Sequence, residues 1–159
     1  MRGRFFAFTL TGIVAVAAAI GAANPAAAAE LKKEIQQLGM PWEASYGYAQ
    51  AVRVGDTVWI SGQLGHDGTG KLVGDDVESQ MRQTYANINT LLKKFGLTMD
   101  DVVEETAFTT DLPSASAARS KMGHEVYPDP TRVASNLIGV SRLFFPTQNI
   151  EIGVVAKTK

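Results

Sequence analysis

Glu151 stands inside the apolar run NIEIGVV, residues 149–155. A carboxylate there either faces water from one side of a strand or lies in a pocket where burial raises its pKa and suits it to proton transfer. Periodicity alone makes the exposed face the commoner outcome. Tyr48, Ser61 and Gln63 are polar groups beside a predicted hairpin and mean little singly. His66 and His124 are the only histidines. They lie far apart and lack the H-x-x-x-H spacing of a helical metal site, so the sequence names no metal ligands, and each reads as a solvated surface side chain. Asp75/Asp76 and Asp100/Asp101 precede predicted elements and read as caps. The glycine-rich stretch GHDGTGKLVG, residues 65–74, lacks the G-x-x-x-x-G-K-[ST] spacing of a phosphate loop. G-x-S-x-G elbows and EF-hand loops are absent too.

These residues need elements to hold them. Residues 46–53 read as an extended segment, Gly55-Asp56 as a turn, and Val58, Trp59 and Ile60 as the core of a second strand, so 46–64 is a predicted hairpin. The clearest helix spans 76–95, opened by a capping box of Asp75 and Glu78 and stopped by Gly96. Val77, Met81, Tyr85, Ile88, Leu91, Leu92 and Phe95 recur on one of its sides, the face that packs on a sheet. A strand follows over 102–110, then a weaker helix over 114–127 started by Ser114 or Ser116. The segment 136–145 and a final strand 150–157 close the chain. The last strand alternates less than a half-exposed one should, which places it centrally. Residues 30–38 are polar and fit one or two helical turns ended by Gly39. The order β-β-α-β-α-β-β defines an α+β domain, two helices on one face of a mixed sheet.

The chain has 159 residues, 45% of them hydrophobic and 19% charged, enough for one packed domain and too few for two. It has no cysteine, which excludes disulfides, thiolate zinc sites, cysteine nucleophiles and a lipid-anchored cysteine. Arg2 and Arg4, an uncharged apolar stretch to Asn24 and the small-residue run around Ala27 and Ala29 form the pattern of a secretory signal peptide, residues 1–29. Cleavage is expected before Glu30; an uncleaved membrane anchor is the alternative. Removing 1–29 takes two basic residues and no acid, leaving 13 basic against 16 acidic side chains and a net charge of −3. That reads as an exported domain, periplasmic or secreted, with no basic field for nucleic acid and no stable membrane association after cleavage. Residues 30–45 read as an N-terminal extension and 46–159 as the single domain.

Together, GYAQAV (47–52), VWISGQLG (58–65), the long segment 75–112 and GVSRLFFPTQNIEIGVVA (139–156) closely resemble the reactive-intermediate deaminase family, also called Rid, YjgF-like or endoribonuclease L-PSP. The resemblance runs from about Tyr46 to Ala156. It implies a chorismate-mutase-like fold and a homotrimer, with the sheets of three subunits forming a central barrel and small-molecule pockets at the subunit interfaces. It also implies hydrolysis of enamines and imines to keto acids and ammonia, without metal or organic cofactor. By position, the family's pocket tyrosine corresponds to Tyr48, its serine to Ser61, followed by Gly62, and its glutamate to Glu151.

The family's substrate-gripping arginine precedes an Arg-Leu pair by seven positions. Counting back from Arg142-Leu143 reaches Ser135. Ser135 and Asn136 offer neutral hydrogen bonds instead, and a bidentate guanidinium contact on a substrate carboxylate is lost. Arg132 lies three residues earlier, where a register shift of three would also reverse its face. The resemblance therefore supports a cofactor-free deaminase or hydrolase of small C–N compounds with non-standard specificity. The alternative is a non-catalytic exported trimer that binds a small molecule or exposed protein segments. Ribonuclease activity, implied only by the old family label, conflicts with the acidic charge.

Overall fold

The computed structural model describes residues 31–158; the stretch expected from its sequence to be a signal peptide, residues 1–29, lies outside them. The helix α2, Val77–Lys94, organises the core because its apolar stripe sits on one side. Ile88, Leu91 and Leu92 are fully buried, and Met81, Tyr85, Val77 and Phe95 nearly so. Burying each large apolar side chain contributes about 1.5–3 kcal/mol. The N-cap is Asp76, whose carboxylate accepts from the Ser79 backbone N–H at 2.9 Å; it replaces the expected Asp75–Glu78 box. Asp75 is one residue too early for that geometry.

Six strands form one sheet in the order β1-β2-β3-β6-β4-β5. They are β1 Glu34–Gln36, β2 Ala51–Val54, β3 Thr57–Leu64, β4 Val102–Thr109, β5 Ala134–Gly139 and β6 Ile150–Lys157. Pairing is antiparallel except between β4 and β5, which run parallel and are joined through the helix α3, Leu112–Met122. Both long helices pack on the same face of this mixed sheet. The last strand, β6, is central as expected, with Ile150, Ile152, Val154 and Ala156 buried under the helices. No helix among the described residues is long and apolar enough to cross a membrane.

Three local expectations fail for tertiary reasons. Residues 34–36 form β1 on the edge of β2, not helical turns. The chain from 46 is not yet a strand: a one-turn helix, α1 (Glu43–Tyr46), ends in Gly47 at φ 65°, and β2 begins at Ala51. The helix α3 starts at Leu112, capped by Asp111, whose carboxylate accepts from the Ser114 N–H at 3.1 Å. Pro113 fits that first turn, where its missing N–H leaves nothing unpaired.

A buried carboxylate ties the helix layer to the outer strands. Glu105 on β4 is fully buried. It accepts from the hydroxyls of Tyr85 (2.9 Å), Tyr127 (2.6 Å) and Ser135 (3.0 Å) and pairs with the Arg119 guanidinium. Arg119 also lies over the Tyr85 and Tyr127 rings. Burial, with the neighbouring Glu105 charge, pushes both tyrosine hydroxyls well above their ordinary pKa, so they remain donors. Glu105→Ala strips the acceptor from four donors and should lower stability by about 3–5 kcal/mol. Tyr127→Phe removes one charge-assisted bond and should cost about 1.5–3 kcal/mol. Urea unfolding of the two variants checks the order; equal losses would contradict a carboxylate-centred network.

Candidate functional site

A β-bulge creates the site. Ile60 pairs with Val154 and Gln63 with Ile152, so Ser61 and Gly62 together oppose Gly153 alone. The extra residue breaks the strict alternation of β3: Val58, Ile60 and Gln63 face the core, while Ser61 and Gly62 are both turned to the open face of the sheet. Across the pairing, Glu151 alternates to that same open face between buried Ile150 and Ile152. The three residues meet there. A Cβ on Gly62 would stand 2.7 Å from Glu151 Cδ, so the carboxylate occupies space that only glycine leaves free.

Polar contacts fix the rest of the floor. The Ser61 hydroxyl donates to the Ala49 carbonyl at 2.7 Å, leaving its lone pairs outward. Tyr48 Oη accepts from Gln50 Nε2 at 3.3 Å, and Gln63 Nε2 donates to Gln50 Oε1 at 2.7 Å. Gln63 is 2% exposed, so its place beside the hairpin is structural support behind the cleft. Among the described residues, no hydrogen bond to the Glu151 carboxylate forms and no Lys or Arg pairs with it, while its backbone takes part in the β6 ladder. Burial raises its pKa above the ordinary carboxylate value.

Around Glu151 runs a cleft of about 430 Å³, lined by Tyr48, Ser61 and Gly62 and walled by Trp42, Tyr46, Phe144 and Phe145. Sequence reasoning missed this aromatic wall. Trp42 falls in the segment assigned to the N-terminal extension, and Phe144-Phe145 sits in an irregular loop, so no periodicity points at either. Trp42 is held from behind: His66 packs edge-on at 4.8 Å, and a Cβ on Gly70 would come within 2.8 Å of the indole.

His66 is therefore not the solvated side chain expected. It is 6% exposed, packs against Trp42 and Phe145, and lies 3.0 Å through Nε2 from the Gln148 amide nitrogen. Burial pushes its pKa down, which favours the neutral ring. His124 is exposed, in line with the sequence. Asp76 and Asp101 cap α2 and a short turn. Among the described residues no group of three or more acidic or histidine side chains is placed to hold a metal.

The remaining sequence-named residues are not brought to this cleft within the chain. Ser135 faces the helix layer and donates to Glu105. Asn136 follows it on the exposed edge strand β5. Arg132 sits in a single turn, Pro130–Arg132, 69% exposed and 3.8 Å from Asp100. Within one chain, Tyr48, Ser61, Gly62 and Glu151 converge, and Ser135, Asn136 and Arg132 do not.

A mixed sheet with two helices on one face and an acid-bearing cleft on the other defines a small α+β protein with the fold of the YjgF-like structures. The model of the Endoribonuclease L-PSP family matches residues 40–158, and the chain belongs to that family, known also as RutC, YjgF or Rid. The RutC family protein YjgH of Escherichia coli is 30% identical over 116 residues, covering 72% of this chain and 85% of its own. A goat (Capra hircus) protein named 2-iminobutanoate/2-iminopropanoate deaminase is 41% identical over 71 residues, 44% of this chain and 52% of its own. The crystal structure of RidA from the Antarctic bacterium Psychrobacter is similar at TM-score 0.69 and 32% identity, covering 78% of this chain and 98% of that one.

The Glu151 environment has a measurable signature. Its folded pKa is raised, so ionising it works against folding. Glu151→Gln should match the wild type in stability below the ordinary carboxylate range. It should become the more stable protein as pH rises through the raised pKa. Urea midpoints at about pH 3 and about pH 8 check this; a less stable glutamine variant at the higher pH would contradict the desolvated carboxylate.

Proposed function

We propose that this protein is a cofactor-free hydrolase of small imines or enamines. The observation that carries this is Glu151: an unpaired, half-buried carboxylate beside Ser61 and Tyr48 at the base of a cleft. Burial raises its pKa above the ordinary carboxylate value, the direction that suits a group taking and returning a proton. In the reaction, water adds to the C=N carbon and a C–O bond forms. Glu151 takes a proton from that water and returns it to nitrogen; the second proton then passes from the new hydroxyl to nitrogen, the C–N bond breaks, and a carbonyl compound and ammonia leave. The Tyr48 hydroxyl, which accepts from Gln50, is placed to donate to the substrate, and Ser61 offers lone pairs. The name carried by the goat relative supports the reaction class.

Specificity departs from that relative's on this reading. With Ser135 engaged by Glu105, no arginine is among the residues that line the cleft to grip a substrate carboxylate. A second reading, a non-catalytic binding or holdase module, draws on Phe144 at 67% and Tyr46 at 50% exposed on the cleft rim. The test is ammonia release from imines generated in situ by an amino-acid dehydratase or an amine oxidase. Turnover that falls at least a hundred-fold in Glu151→Gln is expected; no turnover of any imine would leave only the binding module.

The proposal includes the assembly and its compartment. Trp59 and Ile138 remain 47% and 41% exposed on the open sheet face, which supports burial of that face in a homotrimer. In that trimer the cleft opens at a subunit interface. The N-terminal pattern supports export to the periplasm, and the acidic balance argues against nucleic acid as a partner. Protein recovered from a periplasmic fraction should begin at Glu30 and sediment with about three times the mass of one chain. A monomer, or an intact N-terminus, would sink the corresponding part.

A further inference from the structure

We infer that the Glu151 cleft takes a flat aromatic ligand bearing a positively charged nitrogen, an aryl iminium ion, and disfavours imines that carry a carboxylate. This rests on the cleft being the ligand site proposed above and names its substrate class.

The first ground is the wall. Tyr46 and Phe144 stand edge to face with centroids 5.1 Å apart, Phe144 and Phe145 at 5.0 Å, and Phe145 and Trp42 at 5.5 Å. With Tyr48 these rings make up five of the nine lining residues. Perpendicular rings leave faces and edges on which a flat ring can stack, and faces attract cations. A volume of about 430 Å³ accommodates a substituted benzene ring.

The second ground is the polar set. Glu151 is the one charged side chain among the lining residues. The Ser61 proton is committed to the Ala49 carbonyl, so Ser61 presents only acceptor lone pairs. The floor thus offers acceptors from Glu151 and Ser61 and a donor from the Tyr48 hydroxyl. An N–H-bearing cation complements that floor and offsets the desolvation of Glu151. A ligand carboxylate would face Glu151 and find no cation among the residues that line the cleft, and like charges there repel.

The reaction balances without any further reactant. An aryl iminium, ArCH=NH2+, and water give ArCHO and NH4+; the C–O bond forms, the C–N bond breaks, and both water protons end on nitrogen, the first through Glu151 as water adds and the second from the carbinolamine hydroxyl as the carbonyl forms.

Benzamidine tests the inference, because its amidinium is flat, cationic and inert to this hydrolysis. Titration calorimetry on the purified protein should show benzamidine binding at least ten-fold tighter than benzoate or 2-oxobutyrate. Glu151→Gln should weaken benzamidine ten-fold or more and narrow its advantage over benzoate. Phe144→Ala, at an exposed rim position that tolerates truncation, should weaken it about three-fold. Benzamidine that fails to bind, or binds no tighter than benzoate, overturns the inference. So does 2-oxobutyrate binding that Arg132→Ala abolishes, since a second subunit would then supply the carboxylate's cation. Benzamidine selectivity without hydrolysis of any imine upholds the ligand class and removes the catalytic reading. Imine hydrolysis with benzoate preferred removes the ligand class and leaves the hydrolase.

Discussion

The pairing of β6 between β3 and β4 is the constraint on which the molecule depends. Without it the N-terminal strands β1-β2-β3 and the β4-β5 pair share no sheet hydrogen bonds. A central strand must present one face to the helices along its whole length. Ile150, Ile152, Val154 and Ala156 do so, and period-two alternation then commits Glu151 to the other face. The site carboxylate is exposed to the cleft because its neighbours are needed in the core. The β3 bulge completes the arrangement. It shifts Ser61 and Gly62 to the open face while returning Gln63 to the interior, so one extra residue supplies both a hydroxyl and the space that Glu151 occupies.

The helix layer solves a different problem. Parallel edge strand β5 is exposed along its length and has a neighbour on one side only. Glu105 anchors it by accepting from Ser135, while Tyr85 from α2, Arg119 from α3 and Tyr127 close around the same carboxylate. A buried charge is tolerated because every oxygen is engaged and the guanidinium is adjacent. Ser135, itself exposed on β5, thus turns its hydroxyl to the buried Glu105. The position at which the family resemblance leads one to look for a cationic ligand clamp is occupied by a donor to that carboxylate, and the cleft keeps a single unpaired acid.

Aromatic side chains from segments with no regular pattern finish the cleft. Trp42 lies just before α1, on a stretch held by Glu43, which accepts from the Leu38 and Gly39 backbone N–H groups. The glycine-rich loop folds around Asp67 and brings Gly70 against the indole. Gly70 answers to the shape of Trp42, while Gly65 and Gly74 make room for Gln80 and Ser79. His66 reads as solvated among its polar sequence neighbours, but Trp42, Phe145 and Gln148 arrive from remote segments to bury it.

The sequence by itself determined what repeats along the chain. The apolar stripe of α2, the central position of β6, the α+β order and the convergence of Tyr48, Ser61, Gly62 and Glu151 were all legible. The first three follow from local periodicity; the convergence followed from motif resemblance. Tertiary structure alone decided what depends on partners far away in sequence. Residues 34–36 became a strand because β2 offered an open edge, overriding a weak helical preference. Asp76 took the cap from Asp75 because the packing of α2 fixed where its first turn begins. The aromatic wall, the burial of His66 and the capture of Ser135 by Glu105 arise from contacts across about 20 to 100 residues. No spacing rule encodes such contacts, since they exist only once the sheet and its helices have closed.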